Sequence, residues 1–266
     1  SAFKKSFDGF ILSTPAATHY KLAKRIILNN YDILIEKPMV LSTAHAKELV
    51  ELAKSRSTNI MVGHVLLFHP AIRKIKSLIE SGEIGDLQYL YSNRLNLGKI
   101  RTEEDVFWSL APHDVAIFQY LIGSSPTFVY AKGSAFIQKD IPDSTLTFLE
   151  YENDVRAHIF VSWLHPFKEH RLIVIGSEAM ISFEDSLDNK PLKLYSKKYD
   201  LVAGLPEKVD GPVKHISYKN QMPLIEELKY FIKYIGSNKM DFSTGEQAIN
   251  VVQVLEKAGK YLLSND

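Results

Sequence analysis

The feature that most limits the fold is a unit repeated in the first third of the chain. A short apolar run is followed by a polar turn carrying proline, and then by an amphipathic helix. Phe10-Ile11-Leu12 runs into Ser13-Thr14-Pro15, and Tyr31-Asp32-Ile33-Leu34-Ile35 runs into Glu36-Lys37-Pro38. Residues 8–12, 31–35 and 59–62 read as strands, the third ending at Gly63-His64. Thr14 is placed to cap a helix with Pro15 at its first position, and that helix runs to about Asn29. Ser42 is placed to cap a second helix, in which Ala46, Leu49, Val50 and Ala53 recur at helical spacing. Strand–helix units of this length imply right-handed crossovers and a parallel sheet.

The remainder has a different rhythm. A helix over 69–81 closes at Gly82, Leu87–Asn96 alternates like a strand, and Pro112–Ile122 is a helix ended by Gly123. Strand-like runs follow at Thr127–Lys132, Ser144–Tyr151, Val155–Trp163, Arg171–Ile175 and Ala179–Phe183, with a hairpin turn expected at Glu152-Asn153-Asp154. Consecutive strands on short links argue for a mainly antiparallel sheet with helices on one face and the other face open. Residues 196–220 are polar and poorly periodic and read as a long loop. A helix over Pro223–Ile235 and another opened by the capping box Ser243-Thr244-Gly245-Glu246 finish the chain. The expected division is 1–63, 64–242 and a C-terminal helix over 243–266. The fold class is thus α/β followed by α+β.

Composition narrows the function. With 266 residues, 45% hydrophobic and 24% charged, the chain is of globular type, and a net charge of +1 offers no footprint for nucleic acid. No apolar run is long enough to span a bilayer, so no membrane partner is expected. The absence of cysteine removes thiolate zinc sites and cysteine nucleophiles, and it fits a cytoplasmic protein. Nine histidines include no His-Glu-x-x-His, so no metal site is expected.

The chemistry-bearing residues gather at turns. Lys37 ends an apolar strand, and in open α/β sheets the carboxyl ends of strands face the ligand crevice. A lysine there can donate to an alcohol oxygen and stabilise the developing alkoxide. The competing reading is a surface lysine paired with Glu36. His113, in Ser109-Leu110-Ala111-Pro112-His113-Asp114, opens a helix, and imidazole titrates near neutrality, so it is the candidate general base. Its competing role is a single structural hydrogen bond. Arg94, Asn96, Lys99 and Arg101 form one basic cluster, and Lys168 and Arg171 flank His170 in another. Either can hold a diphosphate, and either can be an ordinary solvated face.

Ser13-Thr14-Pro15 with His19, Glu36-Lys37-Pro38, Gly63-His64 with Pro70, and Ala111-Pro112-His113-Asp114 together resemble the glucose–fructose oxidoreductase / inositol dehydrogenase / MocA family. The stretch from Arg94 to Arg101, before Trp108-Ser109, is most similar to the branch that acts on nucleotide-activated amino sugars. The resemblance implies an oxidoreductase that uses NAD or NADP to oxidise a secondary hydroxyl of a sugar or nucleotide sugar. It implies a Rossmann-type sheet, an open-faced second sheet and a homo-oligomer formed through that face.

It further implies Lys37 and His113 as catalytic residues. Ser13, Thr14, Pro15, His19, Glu36 and Lys37 fall to the cofactor. His64, Arg94, Asn96, Ser109, Asp114, Lys168 and Arg171 fall to the substrate. Thr14 can equally serve as a helix cap and His19 as a structural group. Two positions depart from the family pattern. Ser109 stands where many members carry aspartate, and Leu67 where many carry arginine. No Gly-x-Gly occurs, so the N-terminal half of a Rossmann domain is expected to be missing and the binding of free NAD(P)H to be weak or absent. The alternative is a non-enzymatic sugar-binding or oligomeric scaffold of the same fold.

Overall fold

Ile33, Leu34 and Ile35 are almost wholly enclosed because they form the middle strand of a three-stranded parallel sheet. The computed structural model describes residues 7–237 and 240–262. Its first unit comprises Ser1–His69 with Gln221–Lys257. Here β1 (Gly9–Leu12), α1 (Ala16–Leu28), β2 (Asp32–Glu36), α2 (Thr43–Ser55) and β3 (Ile60–Gly63) alternate in sequence. The register pairs Leu12 with Ile35 and Glu36 with Gly63. Ala23, Ile26 and Ile27 of α1 and Ala46, Leu49, Val50 and Ala53 of α2 supply the helical side of the core. Each larger aliphatic side chain removed from water in this way contributes about 1.5–3 kcal/mol. A 3-10 turn over Val65–Phe68 follows β3.

The cap of α2 is as expected, with Ser42 Oγ accepting from the His45 N–H at 3.2 Å. The cap of α1 is not. The N-cap is Pro15, in an extended conformation with no side-chain cap bond, and the helix starts at Ala16. The helix begins one residue later than expected, so proline takes the cap position and Thr14 lies one residue outside it. Its Oγ1 meets Thr18 Oγ1 at 2.6 Å instead.

The chain returns to the first unit through α6 (Pro223–Tyr234) and the start of α7 (Gly245–Leu262), so 221–242 does not go with the second unit as expected. The capping box of α7 is shifted by one residue. Thr244 Oγ1 accepts from the Gln247 N–H and Gln247 Oε1 accepts from the Thr244 N–H. Ser243 has been taken by β3: its hydroxyl donates to the Val62 carbonyl at 2.6 Å and its carbonyl accepts from the Val62 N–H at 2.8 Å. That segment covers the β3 edge, which would otherwise present unpaired backbone groups.

The second unit comprises Pro70–Asn220 with Ala258–Asp266. Its helices are α3 (Pro70–Glu80), α4 (Val106–Leu110) and α5 (Pro112–Ile122). Its strands are β4 (Leu87–Leu95), β5 (Phe128–Ser134), β6 (Ser144–Glu150), β7 (Arg156–Ser162), β8 (Glu169–Gly176), β9 (Met180–Glu184), β10 (Leu192–Val202) and β11 (Leu205–His215). They form one sheet in the order β11-β10-β9-β8-β4-β7-β6-β5, antiparallel except where β4 meets β7. The two faces differ row by row. Ala131, Thr147, Ile159, Ser92, Leu172, Phe183 and Leu192 make one cross-strand row, and all are buried. The next row, Tyr130, Phe148, His158, Tyr91 and Ile173, has no buried member.

Residues 196–220 are therefore mostly strand, not loop. β10 and β11 form a hairpin around Ala203 and Gly204, whose φ values of 52° and 81° are those of a type I′ turn. Residues on both faces of its distal half are exposed, so the alternation that marks a half-buried strand is absent.

Candidate functional site

In the first unit, three parallel strands deliver three turns to one edge. Ser13, Thr14 and Pro15, after β1, are exposed. Glu36 and Lys37, at the end of β2, are half-buried, and the Lys37–Pro38 peptide is cis. His64, after β3, is buried. His19 braces this edge from behind: its Nδ1 lies 3.0 Å from the Pro38 carbonyl and its Nε2 2.7 Å from the Thr14 carbonyl. The ring thus joins the first two turns and is itself enclosed, so it positions the edge instead of facing a ligand. Glu36 lies across its register partner Gly63, where an added Cβ would stand 3.0 Å from Glu36 Oε2.

His64 is a buried polar group at this edge that lacks an internal partner among the described residues. Neither ring nitrogen has a hydrogen bond among the described residues. Burial, and then the nearby charge of Lys37, lower its pKa to about 3. The imidazole is therefore neutral at physiological pH and offers one donor and one acceptor. Exposed hydroxyls, one lysine and an orphaned neutral imidazole at the carboxyl ends of parallel strands fit the sugar and amide groups of a nicotinamide nucleotide.

In the second unit, His113 is half-buried in the first turn of α5, one turn after the buried Ser109. Asp114 and Arg94 are matched to each other. Arg94 Nε donates to Asp114 Oδ2 at 2.8 Å and Nη2 donates to Oδ1 at 3.1 Å. Burial opposes the guanidinium charge and the Asp114 carboxylate more than offsets it, so the balance raises the Arg94 pKa. Arg94 Nη1 also lies 3.5 Å from His170 Nδ1. Burial and the charges of Arg94 and Lys168 lower His170 to about 4. This arrangement fixes the start of α5 to β4, and with it the backbone that carries His113.

The residues of the two basic groups differ in exposure and in partners. Arg94 is enclosed, whereas Lys99 and Arg101 are exposed, Arg101 lying 3.9 Å from Glu104. Asn96 keeps a buried Oδ1 that has no partner among the described residues. Lys168 is exposed, and Arg171 is held 2.9 Å from Glu184 and 3.5 Å from Glu169. Lys37 belongs to the first unit and His113 to the second.

Sequence reading passed over Glu227, buried on α6 with an Oε1 lacking a partner among the described residues. Its signal was present: it precedes the buried Phe231 by one helical turn, on the apolar stripe where a carboxylate is out of place.

Comparison with known proteins adds four observations. Residues 2–64 match the model of the GFO/IDH/MocA oxidoreductase family, NAD-binding Rossmann fold, and residues 72–182 match a GFO/IDH/MocA C-terminal domain. The chain is 26% identical to the uncharacterized oxidoreductase YrbE of Bacillus subtilis (strain 168), over 96% of this chain and 76% of YrbE. It is 27% identical to UDP-N-acetylglucosamine 3-dehydrogenase of Acidithiobacillus ferrooxidans, over 90% of this chain and 73% of that protein. A solved structure of the latter enzyme superposes with a TM-score of 0.82 at 25% identity, covering 97% of this chain and 81% of that one.

Proposed function

Because the chain belongs to the GFO/IDH/MocA oxidoreductase family, we propose that it oxidises a secondary hydroxyl of a sugar or nucleotide sugar, with NAD or NADP as partner. The observation that carries this reading is the carboxyl edge of the first sheet. Three strand ends bring Thr14, Lys37 and His64 there, and His64 has hydrogen-bonding capacity that nothing internal uses.

When bound, the dinucleotide accepts the hydride. The chain's own residues manage charge and protons. Lys37 donates to the substrate oxygen and stabilises the negative charge that develops on it. His64 stays neutral and holds a neighbouring hydroxyl as donor or acceptor. His113 takes the hydroxyl proton as general base, and the Arg94–Asp114 pair keeps its helix in place. Ser109 contributes a hydroxyl but no carboxylate, so imidazole is the base in this chain. Ser13, Thr14 and Pro15 line the nicotinamide side of the edge. The partner on the second unit's exposed aromatic row is a second copy of the chain.

The test is NAD(P)-linked oxidation by the intact protein, with UDP-N-acetylglucosamine and free sugars as substrates. Lys37→Ala and His113→Ala are each expected to lower kcat by about 10²–10⁴. Unchanged turnover in both variants would remove these two residues from the chemistry, and no turnover by the wild type with any substrate would leave the scaffold alternative.

A further inference from the structure

α6 carries an ionisable group that the reaction above does not use. The helix packs Phe231 against Gly9 at the start of β1 and lies against the 3-10 turn that follows His64. Glu227, one turn before Phe231, is only 1% exposed, and its Oε1 has no hydrogen-bond partner among the described residues. An ionised carboxylate is not stable when enclosed and unpaired, whereas its neutral acid is.

The surroundings favour the acid as well. Burial first, and then the negative charge of Glu36, push Glu227 up to about 8. Three other ionisable groups on or around α6 have partners of their own. Asp32 accepts from Asn59 and from the Gly236 N–H. Tyr230 donates to Asp241, and Glu226 pairs with Lys229 on the outer side. His64 is neutral, and His69 is buried at the far end of the 3-10 turn. The group that acts on Glu227 is thus Glu36, the first residue of Glu36-Lys37-Pro38.

We propose that Glu227 is a positioning residue for that turn: a neutral carboxylic acid that keeps the two carboxyls at a single negative charge and so holds Glu36 over Gly63, with Lys37 at the ligand edge. The functional part rests on the role given to Lys37 above. When the proton leaves, the negative charge on Glu227 repels that of Glu36, and Glu36 is driven from its seat on Gly63.

The experiment compares wild type, Glu227→Gln and the apolar Glu227→Met, each as the intact protein, in two series. The first is thermal stability against pH. The unfolded chain releases this proton in the ordinary carboxylate range while the folded chain keeps it until about pH 8. Wild-type stability should therefore fall relative to both variants as pH rises through that window. Parallel curves for wild type and a folded variant would overturn the neutral acid. The second series is NADH and NADPH binding by fluorescence. Wild-type affinity should weaken about tenfold per pH unit above the titration, and the variants should lose this dependence. Variants that keep the wild-type alkaline loss would overturn the positioning role. A wild type that binds neither nucleotide at any pH removes the functional reading, and the positioning role with it, while the stability series still decides the proton.

Discussion

Arg94 on β4 and Asp114 on α5 form a bidentate ion pair, with contacts of 2.8 and 3.1 Å, enclosed within the second unit. A fork-to-carboxylate pair of this kind fixes orientation as well as distance. Here it ties the helix that begins at Pro112 to the middle of the sheet, one residue from His113.

Removing one partner should be far worse than removing both. Asp114→Asn leaves a buried guanidinium uncompensated, and about 3–5 kcal/mol of stability should be lost. Arg94→Met combined with Asp114→Leu should lose less than the sum of its single variants. Urea unfolding of the four proteins measures the coupling, and strictly additive losses would deny it.

His64 predicts an acid-side weakness. Its folded pKa of about 3 lies below the ordinary value of 6.5. The unfolded chain therefore binds the extra proton first, and stability from the neutral ring is complete above about pH 6.5 and declines as pH falls toward 3. His64→Asn, which cannot take up this proton, should lose less melting temperature than wild type between about pH 7 and pH 4. Equal losses would show that His64 is solvated.

The parts of this protein legible in sequence are those where one pattern dominates. Three apolar runs separated by amphipathic helices fix the parallel sheet, and proline turns mark the carboxyl ends of its first two strands. Reading failed where a tertiary partner took over a local signal. Ser243 has the right chemistry for a cap, yet β3 holds its hydroxyl. Arg94 belongs to a basic cluster in sequence, yet Asp114 claims it twenty residues later. The β10–β11 hairpin escaped because both of its faces meet water, so nothing imposed alternation. Glu227 was recoverable only by treating a charge on an apolar helical stripe as a signal.

Gly63→Ala tests the seat of Glu36. The new methyl carbon would meet Glu36 Oε2 at 3.0 Å and Cδ at 3.2 Å, too close without movement of the carboxylate. Overpacking of this size costs about 1–3 kcal/mol. If Glu36 sets the Glu36-Lys37-Pro38 turn, NAD(P)H affinity should fall along with stability. A stability loss with intact affinity would separate Glu36 from ligand binding.

The exposed row on the second sheet predicts self-association. Tyr91 stacks on His158 with centroids 4.9 Å apart and planes 4° from parallel. Phe148, opposite His158 in register, is 43% exposed, and Tyr130 beside it is 39% exposed. Aromatic side chains aligned across strands form a flat surface that a second copy can match residue for residue about a two-fold axis. Sedimentation should therefore find a dimer or larger assembly. Phe148→Arg places a charge within the row and should shift the protein to monomer at the same concentration, without loss of circular-dichroism signal. A monomeric wild type, or a variant with unchanged mass, would rule out this face as the interface.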